Sequence, residues 1–294
     1  MNLKVWIAES RANFLLLPVM LIILGSGIAH FEGHFHLMHT IFALMGLVMM
    51  HITVNVLNEI SDYQTGIDFE VTRTPFSGGT GILTSGQIAI PHASLYAKIN
   101  IALATIIGIY FVYVVGWHLL PVLVLGLITV VFYTPWLGRV VMGEFAAGLG
   151  LGALPIIGAH LVIAQQFSFT AVYVSFIPYL LVFNLLLLNE FPDLETDTRG
   201  GRKNLIIVFG KKAAAWIYIA VLLMVYVWML LGVLMGWIPV WTLLGLLTLP
   251  ISLNIIRNLF KNLDNLEGFI PLMGQNVMVV LITQLLMGIA FFIA

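Results

Sequence analysis

The chain has 294 residues, 61% of them hydrophobic and 9% charged, whereas an ordinary globular domain is about 45–50% apolar and about 25% charged. Such a composition excludes a soluble monomer, and a net charge of −1 excludes a general basic field for nucleic acid. The absence of cysteine excludes disulfides, thiolate metal sites and cysteine nucleophiles.

The N-terminus, MNLKVWIAESRANF, lacks the basic start, short apolar run and cleavage site of a removable signal peptide. A helix that crosses lipid needs about 20 mostly apolar residues, because it must satisfy its own backbone hydrogen bonds there. In chain order, segments near 13–28, 36–57, 93–115, 119–133, 141–164, 170–188, 213–235, 239–256 and 270–293 meet this description, the fourth being short. The expectation is an all-α, polytopic membrane protein of nine helices. Residues 1–294 would form a single transmembrane domain, with long polar loops near 58–92 and 189–212.

Nine crossings place alternate connections on opposite sides. All twelve basic residues then fall on one side: Lys4, Arg11, Arg73, Lys98, Arg139, Arg199, Arg202, Lys203, Lys211, Lys212, Arg257 and Lys261. By the positive-inside rule this side is cytoplasmic, which puts the N-terminus and both long loops inside and the C-terminus outside, in a cell inner membrane. Twelve of the thirteen acids share that side, Glu32 being the exception.

The acids converge on two loops. The second predicted span ends in NEISDYQTGID, residues 58–68, and the sixth in NEFPDLETD, residues 189–197. Both begin Asn-Glu-x-x-Asp, and the two spans lie four apart, which suggests a repeated four-helix plan with a ninth helix added. Four-residue spacing puts Asn58 above Asp62, Asn189 above Asp193 and Asp193 above Asp197 wherever the helix persists. His51 and Asn55 extend the first stripe upstream. Polar groups within a membrane helix are costly and normally face a cavity or a partner.

Two carboxylate clusters repel each other unless a cation intervenes. The natural one is Mg²⁺, which takes one or two carboxylates per site and completes its octahedron with water and phosphate oxygens. Two facing clusters holding Mg²⁺ therefore describe a diphosphate site. Arg73, Arg199, Arg202 and Lys203 follow the clusters closely enough to take the remaining phosphate charge.

NEISDYQTGID followed by RTPFSGG, with NEFPDLETDTRGGRKNLIIVFG four spans later, resembles the UbiA superfamily of intramembrane prenyltransferases. ESRANFLLLP in the first span and YTPWLGRVVMGEFAAGLGLGALPIIG around the fourth and fifth extend the likeness over most of the chain, although Ala12 stands where the family tends to have proline. The resemblance implies a nine-helix bundle around a central cavity and transfer of an isoprenyl group from a prenyl diphosphate to an aromatic acceptor. It also implies Mg²⁺ held by Asn58, Asp62, Asp68, Asp193 and Asp197, which would be both catalytic and metal-binding. Arg11, Asn55, Arg73, Tyr133, Asn189, Arg202 and Lys203 would bind substrate.

Within the family, the closest resemblance is to dihydroxynaphthoate prenyltransferases of menaquinone synthesis, carried by D-Y-x-x-G-I-D in the first motif and by N-x-x-x-D-x-E-x-D with G-R-K-x-L in its counterpart. Asn-Glu-Phe-Pro departs from the Asn-Asn-x-Arg of those enzymes, and Thr74 precedes Pro75 where hydroxybenzoate enzymes tend to have Arg-Pro. Hydroxybenzoate, homogentisate, a chlorin or haem, and glyceryl phosphate therefore stay open as acceptors. A cation-coupled transporter is the reading from another class, but transporters place such carboxylates near the midplane. Tyr63 and Tyr133, near the cytoplasmic mouth, are the candidate aromatic residues of the cavity wall. His30, Glu32, His34, His36 and His39 match no sharp metal-binding spacing and read as interfacial, and Gly148 and Gly152 as helix-packing residues.

Overall fold

A computed structural model describes residues 3–133 and 135–294. These residues are helical with no β-strand. A short α1 (Leu3–Glu9) and a 3₁₀ turn lead into α2 (Leu16–Phe31), followed by α3 (Leu37–Thr65), α4 (Ile67–Glu70), α5 (Ile90–Val115) and α6 (Leu120–Phe132). The remainder comprises α7 (Gly143–Gly148), α8 (Leu154–Ala164), α9 (Phe169–Asn189), α10 (Leu194–Arg199), α11 (Leu205–Leu234), α12 (Leu249–Leu259) and α13 (Leu266–Ile293).

Among the described residues, eight continuous helical segments are long and apolar enough to cross a membrane, and the apolar Trp117–Phe132 is shorter. That piece covers the predicted fourth span. At 1.5 Å per residue it reaches roughly 24 Å, less than the roughly 30 Å hydrocarbon core. Chain order, boundaries and helical class otherwise follow the apolar pattern. Two helices run further than apolarity alone indicates: α3 continues through the first acidic motif to Thr65, and α11 starts at Leu205 with a kink at Gly210. The first turns of the segment before α12, Val240–Thr248, are wound as a 3₁₀ helix.

Lipid supplies no hydrophobic force between helices, so contact depends on close backbone approach. A Cβ added at Gly27 of α2 would lie 2.6 Å from the Gly288 carbonyl of α13. On the α7–α8 segment, a Cβ at Gly148 or Gly152 would lie 2.7 Å from the Tyr179 carbonyl or 2.6 Å from the Pro178 carbonyl of α9. The span-five glycines are thus packing residues, as their spacing suggests. Directly after Gly148 the helix widens into a π turn over Leu149–Ala153, which includes Gly152.

Buried polar side chains tie the interior together. Tyr218 donates to Asn276 Oδ1 at 2.9 Å, while the amide nitrogens of Asn184 and Asn276 donate to the backbone of α11 and α9 at 2.9 and 3.3 Å. At the opposite end from the acidic motifs, Glu32 accepts from Ser168 at 2.5 Å and meets His160 Nε2 at 2.7 Å, linking α2 to α8 and α9. The nearby histidines pair among themselves and with aromatics, His36 stacking on His39 at 3.9 Å.

Because Gly27 meets backbone, Gly27→Val should destabilise the detergent-solubilised protein by about 2 kcal/mol through overpacking. Gly126→Ala in α6, where an added Cβ meets nothing within 4 Å, should be neutral or slightly stabilising. Differential scanning fluorimetry of the two variants checks both.

Candidate active site

The two Asn-Glu-x-x-Asp copies fold differently. In the first, α3 holds Asn58 above Asp62, and the Asn58 amide donates to Asp62 Oδ2 at 3.2 Å. Gly66, at φ 83°, stops the helix in a left-handed conformation that costs glycine least. The reversal brings Asp68, on α4, back towards the same space. In the second copy α9 ends at Asn189, because Pro192 cannot continue a helix. Asp193 then caps the start of α10, and the Asp197 amide donates to the Asp193 carbonyl at 2.8 Å. The helical stripe expected from Asn189 through Asp193 is therefore broken, although both residues still face one cavity.

That cavity, about 200 Å³, opens among α2, α3, α7, α9 and α13. Of the residues named from sequence, Arg11, Asn55, Asn58, Asp62, Asp68, Tyr133, Asn189, Asp193, Asp197 and Arg202 line it. Arg73 and Lys203 do not. Arg73 turns its guanidinium to the Asp68 carbonyl at 2.9 Å and to Thr84 Oγ1 at 3.0 Å. Lys203 is exposed, and its backbone pairs with Gly138 and Val141 at 3.0 Å each. Arg199 is also turned away, pairing at the surface with Glu70 at 2.7 Å and so clipping α10 to α4. Tyr63 packs against Phe69 outside the cavity.

Arg202 is the centre of charge. Its guanidinium donates to Asp62 Oδ1 and to Asn58 Oδ1 (3.3 Å), and it pairs with Asp197 Oδ1 at 3.2 Å. One side chain thus spans both motifs. Burial works against its charge, but Asp197 and Asp62 outweigh it and raise its pKa. Arg11 is the second cation on the wall. It sits at φ 52°, a strained conformation for arginine, with its guanidinium 4.6 Å above the Phe14 ring.

The remaining acids are short of positive charge. Burial, then Asp62 and Glu59, push Asp68 up to about 7. Burial and Asp197 push Asp193 up to about 7, and Asp197 itself stands at about 6 through burial, with Arg202 opposing. Glu190 is raised further by burial and by Glu144. Asp68 Oδ2, Asp193 Oδ1 and Asn189 Oδ1 are buried without a hydrogen-bond partner. Orphaned hard oxygens on residues that line one cavity fit divalent-cation ligands. Among the described residues no three His, Asp or Glu side chains converge on a single point, so each half offers the one or two carboxylates that Mg²⁺ takes, with other ligands left to water and phosphate.

Some contributors were not legible in the motifs. Phe76, Ser77, Gly78 and Gly79 form a flap on the cavity. A Cβ at Gly79 (φ 69°) would lie 2.8 Å from Asp68 Oδ1, so glycine is needed for the flap to approach the carboxylate. Glu59 anchors this flap, accepting from Thr80 N at 2.6 Å and Thr80 Oγ1 at 2.8 Å. Its counterpart Glu190 instead lines the cavity. Glu144 caps α11 by accepting from Leu205 N at 2.7 Å. The flap falls within the RTPFSGG stretch that follows the first motif, but nothing in the sequence indicated its closure on Asp68.

A second cavity of about 350 Å³ adjoins the first, sharing His51, Val130, Gly150 and Leu151 as a common wall. It is otherwise almost wholly apolar. Ile109 of α5 with Val124 and Leu127 of α6 line it and are also exposed on the outer surface of the bundle.

The profile described as the UbiA prenyltransferase family matches residues 18–273. A 1,4-dihydroxy-2-naphthoate octaprenyltransferase of Bacillus subtilis (strain 168) is 23% identical over 256 residues, covering 86% of this chain and 81% of its own. A 2-carboxy-1,4-naphthoquinone phytyltransferase of Synechocystis sp. is 25% identical, covering 90% of this chain and 85% of its own. Among solved structures, a UbiA homologue from Archaeoglobus fulgidus bound to GPP and Mg²⁺ superposes with a TM-score of 0.63 at 15% identity, covering 99% of this chain and 100% of that one.

Glu9, which is not itself a proposed ligand, offers a check on these electrostatics. It is fully buried, and burial with Glu59 pushes it up to about 7. An acid whose pKa rises on folding holds its proton more tightly in the folded state. The folded protein therefore loses stability as pH climbs from the unfolded carboxylate range, about 4, to about 7. The ligand-free protein should melt several degrees lower at pH 8 than at pH 5, and Glu9→Gln should flatten part of that fall in a pH series of thermal melts.

Proposed function

The chain belongs to the UbiA prenyltransferase family and is a membrane-embedded prenyltransferase; from that premise we propose that it transfers an isoprenyl group from a prenyl diphosphate to an aromatic ring, with Mg²⁺ as cofactor. 1,4-Dihydroxy-2-naphthoate, as in menaquinone synthesis, is the acceptor best supported, because both curated relatives above are named for naphthalene-derived substrates. The observation that carries the reading is the pair of acidic motifs meeting across one cavity, with buried carboxylate oxygens left unpartnered on each side.

Asn58, Asp62 and Asp68 would form one half of the metal site and Asp193 and Asp197 the other. Bound there, Mg²⁺ would offset the negative charge of the departing diphosphate. Arg202 and Arg11, the two cations on the cavity wall, would donate to diphosphate oxygens, with Arg202 exchanging part of its hold on Asp62 and Asp197 for the substrate. Arg73 acts at one remove: by holding the Asp68 carbonyl it fixes where that carboxylate points. Breaking the C–O bond leaves an allylic cation. The walls of the cavity exclude water from it, and the faces of Tyr133, Phe14 and Phe76 stabilise it. A ring carbon of the acceptor then forms the new C–C bond and releases its proton to the departing diphosphate, which restores the aromatic ring.

The apolar second cavity suits the isoprenoid tail, which would leave towards lipid between α5 and α6. With Trp117–Phe132 counted as a crossing, all twelve basic residues share one side, which supports a chemically active mouth on the cytoplasmic side, with the N-terminus inside and the C-terminus outside. Domain extent is read as one transmembrane unit over 1–294.

Purified protein given Mg²⁺, a prenyl diphosphate and a panel of aromatic acids should yield a prenylated naphthalene by mass spectrometry, with no product after chelation. Asp62→Ala and Asp193→Ala, each shown to be folded, should lower turnover at least a hundredfold. Full Mg²⁺-dependent transfer by either variant contradicts the site.

A further inference from the structure

The polar stripe of α3 does not end at the mouth. Asn55, about two turns below Asp62, spends its amide on the Ser10 carbonyl at 3.1 Å and so fastens α1 to the bundle. His51, deeper still, is 4% exposed and has no role in the metal or diphosphate site. Its Nδ1 lies 3.0 Å from the Leu47 carbonyl. A carbonyl only accepts, so Nδ1 carries the proton and Nε2 is a lone-pair acceptor. Nε2 is buried and has no hydrogen-bond partner.

The ring stands in the wall common to the two cavities, beside Val130 and Leu151, which have nothing to donate. An ionisable side chain halfway along a membrane helix marks a functional surface by default. Which substrate it meets follows from chemistry. A polyisoprenyl tail entering the apolar cavity passes the same wall but has no donor, so it cannot satisfy Nε2. A ring hydroxyl has the donor that Nε2 lacks.

Distance agrees. Three helical turns separate His51 from Asp62, about 16 Å at 1.5 Å per residue, and helix side chains lean towards the N-terminus, away from the mouth. With diphosphate at the mouth, the group reaching this depth belongs to the part of the acceptor ring remote from the reacting carbon.

We propose that His51 binds the aromatic acceptor, its Nε2 accepting a hydrogen bond from a ring hydroxyl, and so selects hydroxylated rings and orients them between the diphosphate mouth and the apolar cavity. This rests on the prenyl-transfer reading above. It makes His51 a binding residue rather than a proton carrier, and no bond is made or broken at the imidazole.

The test uses whichever hydroxylated aromatic the wild-type protein prenylates, so a protein that prenylates none overturns the functional reading itself, separately from His51. Acceptor affinity is measured by quenching of intrinsic tryptophan fluorescence without prenyl diphosphate, and KM values for both substrates are measured in turnover. His51→Leu should weaken the acceptor about five- to tenfold, the range of one lost hydrogen bond, and leave the KM for prenyl diphosphate within twofold. His51→Gln, which keeps an acceptor atom, should recover part of the loss. An acceptor analogue with the hydroxyl methylated should bind wild type and His51→Leu alike. Unchanged acceptor affinity in His51→Leu overturns the proposal, as does a loss that falls on long-chain prenyl diphosphates instead, which would make His51 part of the tail path. If His51→Leu does not fold, the methylated analogue against wild type and His51→Gln decides: equal affinity for hydroxylated and methylated rings in wild type overturns it.

Discussion

A guanidinium lodged between carboxylates from two distant stretches of chain is the interaction on which the mouth of the bundle depends. Arg202 joins Asp62, at the end of α3, to Asp197, on α10. Without it, buried acids of both motifs would be offset only in part, by Arg73 and Arg11 near Asp68, and removing one partner of a buried ion pair costs about 3–5 kcal/mol. The same contact sets the spacing of the two halves and hence the size of what can enter between them. It is also incomplete. One cation pairs with two of the four aspartates, and burial with neighbouring carboxylates holds Asp68 and Asp193 at about 7 with unpartnered oxygens. A site in that condition gains most from a ligand that brings its own divalent cation, and phosphate oxygens provide the anion that Arg202 and Arg11 can share.

Two nearly equal motifs do unequal work because their surroundings differ. Glu59 points to the flap and holds Thr80, which brings Gly79 against Asp68. Glu190 follows the last turn of α9, where Pro192 redirects the chain, and its carboxyl enters the cavity beside Tyr133. The first motif therefore anchors the flap, and the second adds a further carboxyl to the cavity wall. Below them the wall changes from carboxylate to amide to imidazole and then to hydrocarbon, a gradient that matches a diphosphate head, a polar ring and an apolar tail.

Much of this was legible in the sequence, for a physical reason. In a chain with so few charges, each charge inside or beside an apolar run is informative, and Asp62, Asp68, Asp193, Asp197 and Arg202 stood out on that basis. The structure gathers them. Arg73 and Lys203 were placed by proximity in sequence, which fixes neither side-chain direction nor hydrogen-bond partner; one turned to the backbone of its own motif and the other to solvent. The divergent roles of Glu59 and Glu190 depend on tertiary neighbours 21 residues away or more, Thr80 for one and Glu144 for the other. Periodicity could not reveal the extension of α3 through Thr65 either, because the apolar pattern stops where the helix leaves lipid while its backbone bonds continue.

The central claim is that both acidic motifs hold one diphosphate jointly through divalent metal. The most direct measurement is calorimetric titration of a prenyl thiodiphosphate, which binds without turning over, into wild-type protein and into Asp68→Asn and Asp193→Asn variants, with Mg²⁺ and with chelator. The account predicts binding to wild type that requires Mg²⁺ and is weakened at least tenfold by either variant alone. Metal-independent binding, or Mg²⁺-dependent binding that survives the loss of one motif undiminished, would contradict it.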